Sequence, residues 1–144
     1  MKAYFDSAVL IKLYVAEPNS AEAVRWVQQV KARLVFTPLQ ELEVRNAIRL
    51  KAARKEITDD ELRKALRQIK ADFDAGFLDR PALDWSQVWL KAEELSARHG
   101  RESQSRTLDT LHVAMACCLG IRDFITFDLR QAALAKKAGL RVRP

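Results

Sequence analysis

The amino-acid sequence predicts an α/β fold built around a mainly parallel sheet. Short apolar runs alternate with longer amphipathic segments, as strands and helices do in parallel α/β proteins. The amphipathic segments begin at residues that can cap a helix, and two of them end at a glycine. With 144 residues, 49% hydrophobic and 31% charged, the chain is expected to form one globular domain over residues 1–144.

Five short apolar runs predict the strands of this sheet. They cover residues 2–6, 33–36, 80–84, 123–127 and 140–143. Their shortness and the turn-forming residues around them are typical of buried strands. Asp6 and Asp128 stand where the first and fourth of these strands end.

Capping patterns predict where the helices begin. Five helices are expected, at residues 20–31, 38–55, 59–75, 108–119 and 129–138. The first three follow capping-box pairs, namely Asn19 with Glu22, Thr37 with Gln40 and Thr58 with Glu61. Thr107 and Asp128 are the predicted caps of the last two helices, which end at Gly120 and Gly139.

The helices at 38–55 and 59–75 form a hairpin between the second and third strands. The second helix has an apolar stripe formed by Leu62, Leu66, Ile69 and Phe73. Two interpretations stay open. The stripe can present a face to a partner or a second copy of the chain, or it can simply cover the sheet.

Four acidic residues are expected to meet at one edge of the sheet. Asp6 and Asp128 stand at strand ends. Glu43 lies early in the helix after the second strand, and Asp109 opens the helix that leads to the fourth. Ligands of open parallel sheets bind at the carboxyl ends of the strands. A hard cation such as Mg²⁺ or Mn²⁺ would offset the mutual repulsion of these carboxylates, so the sequence predicts a metal-dependent nuclease.

Three of these acids also have a structural interpretation. Asp6 and Asp128 can each cap the helix that follows, and Asp109 can interact favourably with the helix dipole. These interpretations do not exclude a metal site, because a cap position also projects a carboxylate at the sheet edge.

Glu43 is harder to explain as a structural residue. It falls within a mostly apolar helix face formed by Leu39, Leu42, Asn46, Ala47 and Leu50. A carboxylate in such a face is costly unless it is paired or metal-bound. Glu41 points nearly the opposite way, beside Val44 and Ile48. Glu43 is therefore the predicted ligand, and Asn46 can orient it.

Bulk composition limits the classes of protein to be considered. The formal net charge of +6 favours a polyanionic partner, although a solvated basic surface is an equally good explanation. The N-terminus carries no secretion signal, and no apolar run approaches the roughly 18 residues of a membrane span. We expect a cytoplasmic protein that does not associate with a membrane. Cys117 and Cys118 have no partner at metal spacing and are expected to be reduced structural residues.

The acidic motifs resemble those of PIN-domain ribonucleases, above all the toxins of bacterial VapBC toxin–antitoxin pairs. The resemblance lies in the segments Tyr4-Phe5-Asp6-Ser7-Ala8, Glu43-Val44-Arg45-Asn46-Ala47-Ile48, Arg106-Thr107-Leu108-Asp109-Thr110-Leu111-His112-Val113-Ala114 and Phe124-Ile125-Thr126-Phe127-Asp128. It spans the whole chain. It implies a three-layer α/β/α sandwich with a mainly parallel five-stranded sheet, RNA cleavage with Mg²⁺ or Mn²⁺, homodimers and inhibition by a cognate antitoxin.

Two other functions are compatible with parts of this pattern. A catalytically degenerate PIN fold could serve as a partner- or RNA-binding module, which would have no need of a metal ion. A phosphatase of the haloacid dehalogenase class would need a second aspartate two residues after Asp6, where this chain has Ala8.

Several other residues near the acidic motifs are candidates for supporting roles. Thr126 and Ser7 can hydrogen-bond a ligand or remain structural, and His112 is better explained as a core histidine than as a general acid or base. The basic residues near the motifs are Lys12, Arg45, Arg49, Arg101 and Arg106, each a candidate phosphate contact or an ordinary surface charge. Arg101 and Arg106 are expected in a loop at 99–106.

Overall fold

The computed structural model describes all 144 residues and divides the chain into two units. The first unit comprises Met1–Asp6 and Ala82–Pro144, and the second comprises Ser7–Pro81. Each unit combines helices with parallel strands, which confirms the predicted α/β class. The expectation of one domain over residues 1–144 stays a prediction.

The elements alternate along the chain much as the sequence predicts. In order they are β1 (Ala3–Phe5), α1 (Ser7–Ile11), α2 (Ser20–Gln28), β2 (Leu34–Val35), α3 (Pro38–Ala53), α4 (Asp59–Asp74), β3 (Leu78–Asp79), α5 (Trp85–Ser103), α6 (Thr107–Cys118), β4 (Asp123–Ile125), α7 (Leu129–Lys137) and β5 (Arg141–Arg143).

In the first unit, three parallel strands lie in the order β1-β4-β5. Phe5 is opposite Ile125, and Ile125 is opposite Arg143. The rings of Tyr4 and Phe124 stack with centroids 5.4 Å apart, and both residues are fully buried. Helices α5, α6 and α7 pack against one another. This sheet brings the ends of β1 and β4 side by side, which positions the residues that follow them.

In the second unit, β2 and β3 form a separate two-stranded parallel sheet. The prediction of one five-stranded sheet is therefore wrong, because the backbone hydrogen bonds link β2 only to β3. The third predicted strand, 80–84, is also misplaced. The strand is Leu78–Asp79, where the amide of Phe36 donates to the carbonyl of Asp79 at 2.8 Å. Pro81 has no amide hydrogen to extend that ladder.

The predicted helix starts are partly confirmed. Both capping boxes of the helical hairpin are present, at Thr37 with Gln40 and at Thr58 with Glu61. The box predicted at Asn19 is wrong, because Asn19 adopts a left-handed conformation (φ 67°) and makes no side-chain cap.

The cap predicted at Thr107 is wrong as well, since Thr107 is already the first residue of α6 and Arg106 precedes the helix. Asp128 does cap α7. Gly120 and Gly139 follow the ends of α6 and α7 with φ values of 67° and 87°, as their role after a helix requires.

A 19-residue helix, α5, was not predicted. Asp84 caps it by accepting hydrogen bonds from the amides of Ser86 and Gln87, and its buried face includes Val88 and Leu95. These are the same local signals that identified the other helices. The helix continues to Ser103, so the loop predicted at 99–106 is wrong. His99 and Arg101 lie on α5, and only residues 104–106 connect it to α6.

The two hairpin helices differ in how far their apolar stripes are buried. Helix α3 buries Gln40, Val44 and Ile48, while Leu42 is 63% exposed. On α4 the stripe is divided, because Ile69 is fully buried whereas Leu66 is half-buried. Ile69 therefore belongs to the core of this unit.

Two expectations about the remaining sequence can be compared with the structure. Cys117 and Cys118 are free thiols near the end of α6, and burial raises the pKa of both. None of the helices has the length and apolar character that crossing a membrane requires.

Candidate functional site

Asp6 lies at the end of β1 in the first unit and is 8% exposed. Its backbone amide continues the sheet ladder by donating to the carbonyl of Ile125 at 3.0 Å. The backbone of Asp6 is therefore held at the carboxyl end of the strand, where the sequence places it.

Asp109 and Asp128 line one open cleft of about 520 Å³ in the same unit. Asp109 is in the first turn of α6, and its Oδ2 accepts a hydrogen bond from the amide of Arg106 at 3.2 Å. Asp128 caps α7, and its Oδ1 accepts from the amides of Arg130 and Gln131 at 2.8 and 3.0 Å. Both carboxylates thus stand at helix N-termini, where the helix dipole favours negative charge.

Thr126 connects Asp6 with Asp128. Its hydroxyl oxygen lies 3.5 Å from Oδ2 of Asp6, a long contact, and accepts a hydrogen bond from the amide of Asp128 at 3.0 Å. Thr126 is itself buried. The structure therefore gives this threonine a supporting position between two of the predicted acids.

The donor chemistry of these residues fits a hard divalent cation. Asp109 and Asp128 each use one carboxylate oxygen to accept backbone hydrogen bonds, and neither forms an ion pair with lysine or arginine. No three histidine, cysteine, aspartate or glutamate side chains are gathered into a metal-binding group. Mg²⁺ commonly keeps several waters and is often bound through one or two carboxylates, which are the donor groups that this pair offers.

Glu43 lies in the second unit, half-buried on α3. Its Oε1 accepts a hydrogen bond from the hydroxyl of Ser7 at 3.0 Å. Both residues line a cavity of about 370 Å³. The helix face that contains Glu43 is not the buried face predicted from the sequence, because Leu42 and Leu50 of that face are exposed.

Glu41 has a different set of partners from Glu43. It accepts hydrogen bonds from Arg80 at 2.9 and 3.0 Å and from Arg45 at 3.2 Å. The hydrogen bonds from Arg80, with the charges of both arginines, lower the pKa of Glu41 below its usual value. Arg80 also lies over the ring of Phe73. Glu41 thus connects the first turn of α3 to Arg80, which follows β3.

A cluster of charged residues lines the cavity beside Glu43. Glu17 pairs with Lys12 at 3.0 Å and with Lys51 at 2.8 Å. Burial acts to raise the pKa of Glu17, but the hydrogen bonds from Lys51 and Lys12 outweigh it and lower the pKa. Lys12, a predicted phosphate contact, is therefore held by an acid that the sequence argument did not consider.

His112 is a buried core residue, as the sequence favours. Its Nδ1 lies 2.7 Å from the hydroxyl of Tyr4, and its side chain is 1% exposed. It is not among the residues that line the cleft.

The cleft also contains two residues that the sequence argument missed. Leu129 and Arg130 line it together with Arg106, which the sequence had identified. Leu129 and Arg130 could have been identified from the sequence because they directly follow Asp128. Arg45 is paired with Glu41, Arg101 lies on α5, and Arg49 is exposed.

Comparisons with known proteins identify the family and the fold of the chain. The model of the PIN domain family matches residues 3–137. Ribonuclease VapC46 of Mycobacterium tuberculosis (strain ATCC 25618 / H37Rv) is 31% identical over 141 residues, which cover 96% of this chain and 94% of that protein. The crystal structure of FitAcB from Neisseria gonorrhoeae aligns over 100% of this chain and 97% of that one, with a TM-score of 0.63 and 15% identity. The last likeness concerns the fold.

Proposed function

Because the chain belongs to the PIN domain family, we propose that it is a divalent-metal-dependent endoribonuclease, the toxin of a VapBC-type toxin–antitoxin pair. The observation that carries this proposal is the cleft lined by Asp109 and Asp128, with Thr126 joining Asp128 to Asp6. The similarity to a protein named as a ribonuclease supports RNA as the substrate.

Asp109 and Asp128, which line the cleft, are the proposed ligands of Mg²⁺ or Mn²⁺, and Asp6 is the proposed third acid, connected to Asp128 through Thr126. When bound, the ion supplies charge stabilisation at the phosphate and lowers the pKa of water. The role of the chain is to fix the carboxylates before the substrate arrives. The sheet ladder holds the backbone of Asp6, and backbone amides at helix N-termini hold the carboxylates of Asp109 and Asp128.

Glu43 is the proposed fourth acid. Ser7 directly follows Asp6 in the chain and donates a hydrogen bond to Glu43. That hydrogen bond orients the carboxylate of Glu43, which can then coordinate the metal ion or accept a proton from the attacking water. Glu41 is unsuited to this role because two arginines already engage it.

The proposed protein partners are a cognate antitoxin and a second copy of this chain. Helix α3 exposes Leu42 and Leu50, which are 63% and 43% accessible. These leucines, rather than the stripe containing Ile69, are the apolar surface that the hairpin offers to a partner. A cytoplasmic location is proposed together with this role.

Replacement of one ligand tests the function directly. Asp109→Asn should abolish cleavage of a labelled RNA in MgCl₂ or MnCl₂, and EDTA should abolish cleavage by the parent chain. Asp59→Asn, an exposed first-turn aspartate of α4, is the matched control and should stay active. Cleavage that persists in EDTA or in Asp109→Asn would contradict the proposal. RNA binding without any cleavage would instead indicate a degenerate binding module.

A further inference from the structure

Building on the proposed function, we infer that Arg106, Leu129 and Arg130 form an RNA clamp around the two acids of the cleft. The arginines hold phosphates of the RNA backbone, and Leu129 packs against a nucleoside. All three line the cleft that contains Asp109 and Asp128. They are positioning residues and take no part in the chemical step.

The backbone ties each arginine to one of the acids. The amide of Arg106 donates to Asp109 at 3.2 Å, and the amide of Arg130 donates to Asp128 at 2.8 Å. The Cα atom of each arginine therefore has a fixed place relative to a carboxylate. A phosphate bound by either guanidinium therefore lies within the reach of one arginine side chain from a carboxylate of the cleft.

The guanidinium groups of both arginines are available for a phosphate. Both residues are exposed, and neither forms an ion pair, although each lies close to a carboxylate in the chain. An arginine paired with these acids would compete with a metal ion for them. An unpaired arginine can instead bind a phosphate through two hydrogen bonds.

Leu129 is the most exposed large hydrophobic side chain of the protein, at 86%. It is the first residue of α7 and follows Asp128 directly. An apolar side chain beside a charged cleft gains free energy when a ligand covers it. Leucine has no hydrogen-bonding group in its side chain, so this contact supports affinity without reading the identity of a base.

The clamp predicts two distinguishable effects on RNA binding. The experiment uses the full chain carrying Asp6→Asn, which is expected to bind without cutting, with fluorescein-labelled oligouridine in MgCl₂. Arg106→Gln and Arg130→Gln should each weaken binding and reduce the slope of log K against log salt by about 0.7, the value for one phosphate contact on a single strand. Leu129→Ala should weaken binding roughly fivefold, as expected for loss of a partly buried leucine contact, and leave the slope unchanged.

Two variants outside the cleft serve as controls. Arg25→Gln removes an exposed arginine of α2 that has no ion pair, and Leu90→Ala removes a leucine of α5 that is 65% exposed. Melting curves establish that all variants are folded. Both controls should bind RNA with the affinity and salt slope of the parent.

The outcomes separate the clamp from the function on which it rests. Parent-like affinity and slope in both arginine variants would overturn the clamp, while cleavage by the wild-type chain would leave the ribonuclease proposal standing. Equal losses in Arg106→Gln, Arg130→Gln and Arg25→Gln would also overturn it, because they would reflect net charge alone. No RNA binding by the Asp6→Asn parent would overturn the clamp, and cleavage by the wild-type chain would still decide the ribonuclease proposal.

Discussion

The hydroxyl of Thr126 lies 3.5 Å from Oδ2 of Asp6, although 120 residues separate them in the chain. The same oxygen accepts a hydrogen bond from the amide of Asp128. A single side chain thus supports two of the proposed acids, which follow neighbouring strands.

Thr126→Val should reduce RNA cleavage by roughly 10- to 100-fold, the usual effect of removing a group that orients metal ligands. Valine keeps the shape of threonine but cannot accept the Asp128 amide. Thr126→Ser retains the hydroxyl and should keep most of the activity. The measurement is the initial cleavage rate over a range of MgCl₂ concentrations. Wild-type rates in Thr126→Val would contradict the supporting role of the hydroxyl.

Glu43 and Glu41 should respond differently to the same substitution. Glu43→Gln should strongly reduce cleavage while leaving the melting temperature near that of the wild type. Glu41→Gln should remain active and lose about 1 kcal/mol of stability or less, because its ion pairs with Arg45 and Arg80 are partly exposed. Cleavage assays and urea unfolding on both variants check this. A larger loss of activity in Glu41→Gln would show that the wrong acid of α3 has been chosen.

Gln131 offers a way to stabilise the protein. Its side chain is fully buried on α7, and neither its nitrogen nor its oxygen has a hydrogen-bond partner. Gln131→Met removes that polar group at similar size and helix propensity, and should raise the free energy of unfolding by about 1–3 kcal/mol. Gln87→Met, on the exposed face of α5, should have little effect. Urea unfolding compares the two variants, and a destabilised Gln131→Met would indicate that the amide is satisfied in solution.

Tyr14 should make stability depend on pH in the alkaline range. Burial, followed by its 2.7 Å hydrogen bond to Asp72, raises the pKa of Tyr14 well above its ordinary value of 10.0. The unfolded chain therefore loses the phenol proton near pH 10 while the folded chain retains it. The stability associated with Tyr14 is present below pH 10 and is lost as the pH rises further.

Tyr14→Phe tests this linkage. The variant should be less stable at pH 7 by about 1.5–3 kcal/mol, because it lacks the hydrogen bond to a charged partner. Above pH 10, its stability should fall less steeply than that of the wild type, by up to about 1.4 kcal/mol per pH unit. Urea unfolding at pH 7 and at several values above 10 measures both effects. Parallel curves for the two proteins would contradict the assignment.

Local features of the sequence predicted much of the fold. The capping boxes at Thr37 and Thr58, the cap at Asp128 and the glycines after α6 and α7 are all present. Each depends on residues within a few positions along the chain. The same rules applied at Asp84 identify α5, so that helix could have been predicted from the sequence.

The positions of the acids were also evident from sequence, because Asp6 follows a buried strand and Asp109 opens a helix. Tertiary structure decided what surrounds them. Thr126 meets Asp6 only because β4 pairs with β1, and no spacing rule connects residues so far apart. The clustering of Arg106 with Arg130 in one cleft likewise depends on where α6 and α7 begin in space.

The buried face of α3 and the place of the third strand show the limit of sequence reasoning most clearly. Periodicity identified the two faces of α3 but not which one packs against the rest of its unit, since Leu42 is exposed and Val44 is buried. The strand formed at Leu78–Asp79 because those residues reach the backbone of β2. The sequence by itself determined most of the helices and the places of Asp6 and Asp109 at the ends of elements, because those signals are local. Packing and strand pairing were decided by the tertiary structure, because each depends on a partner that is distant in the chain.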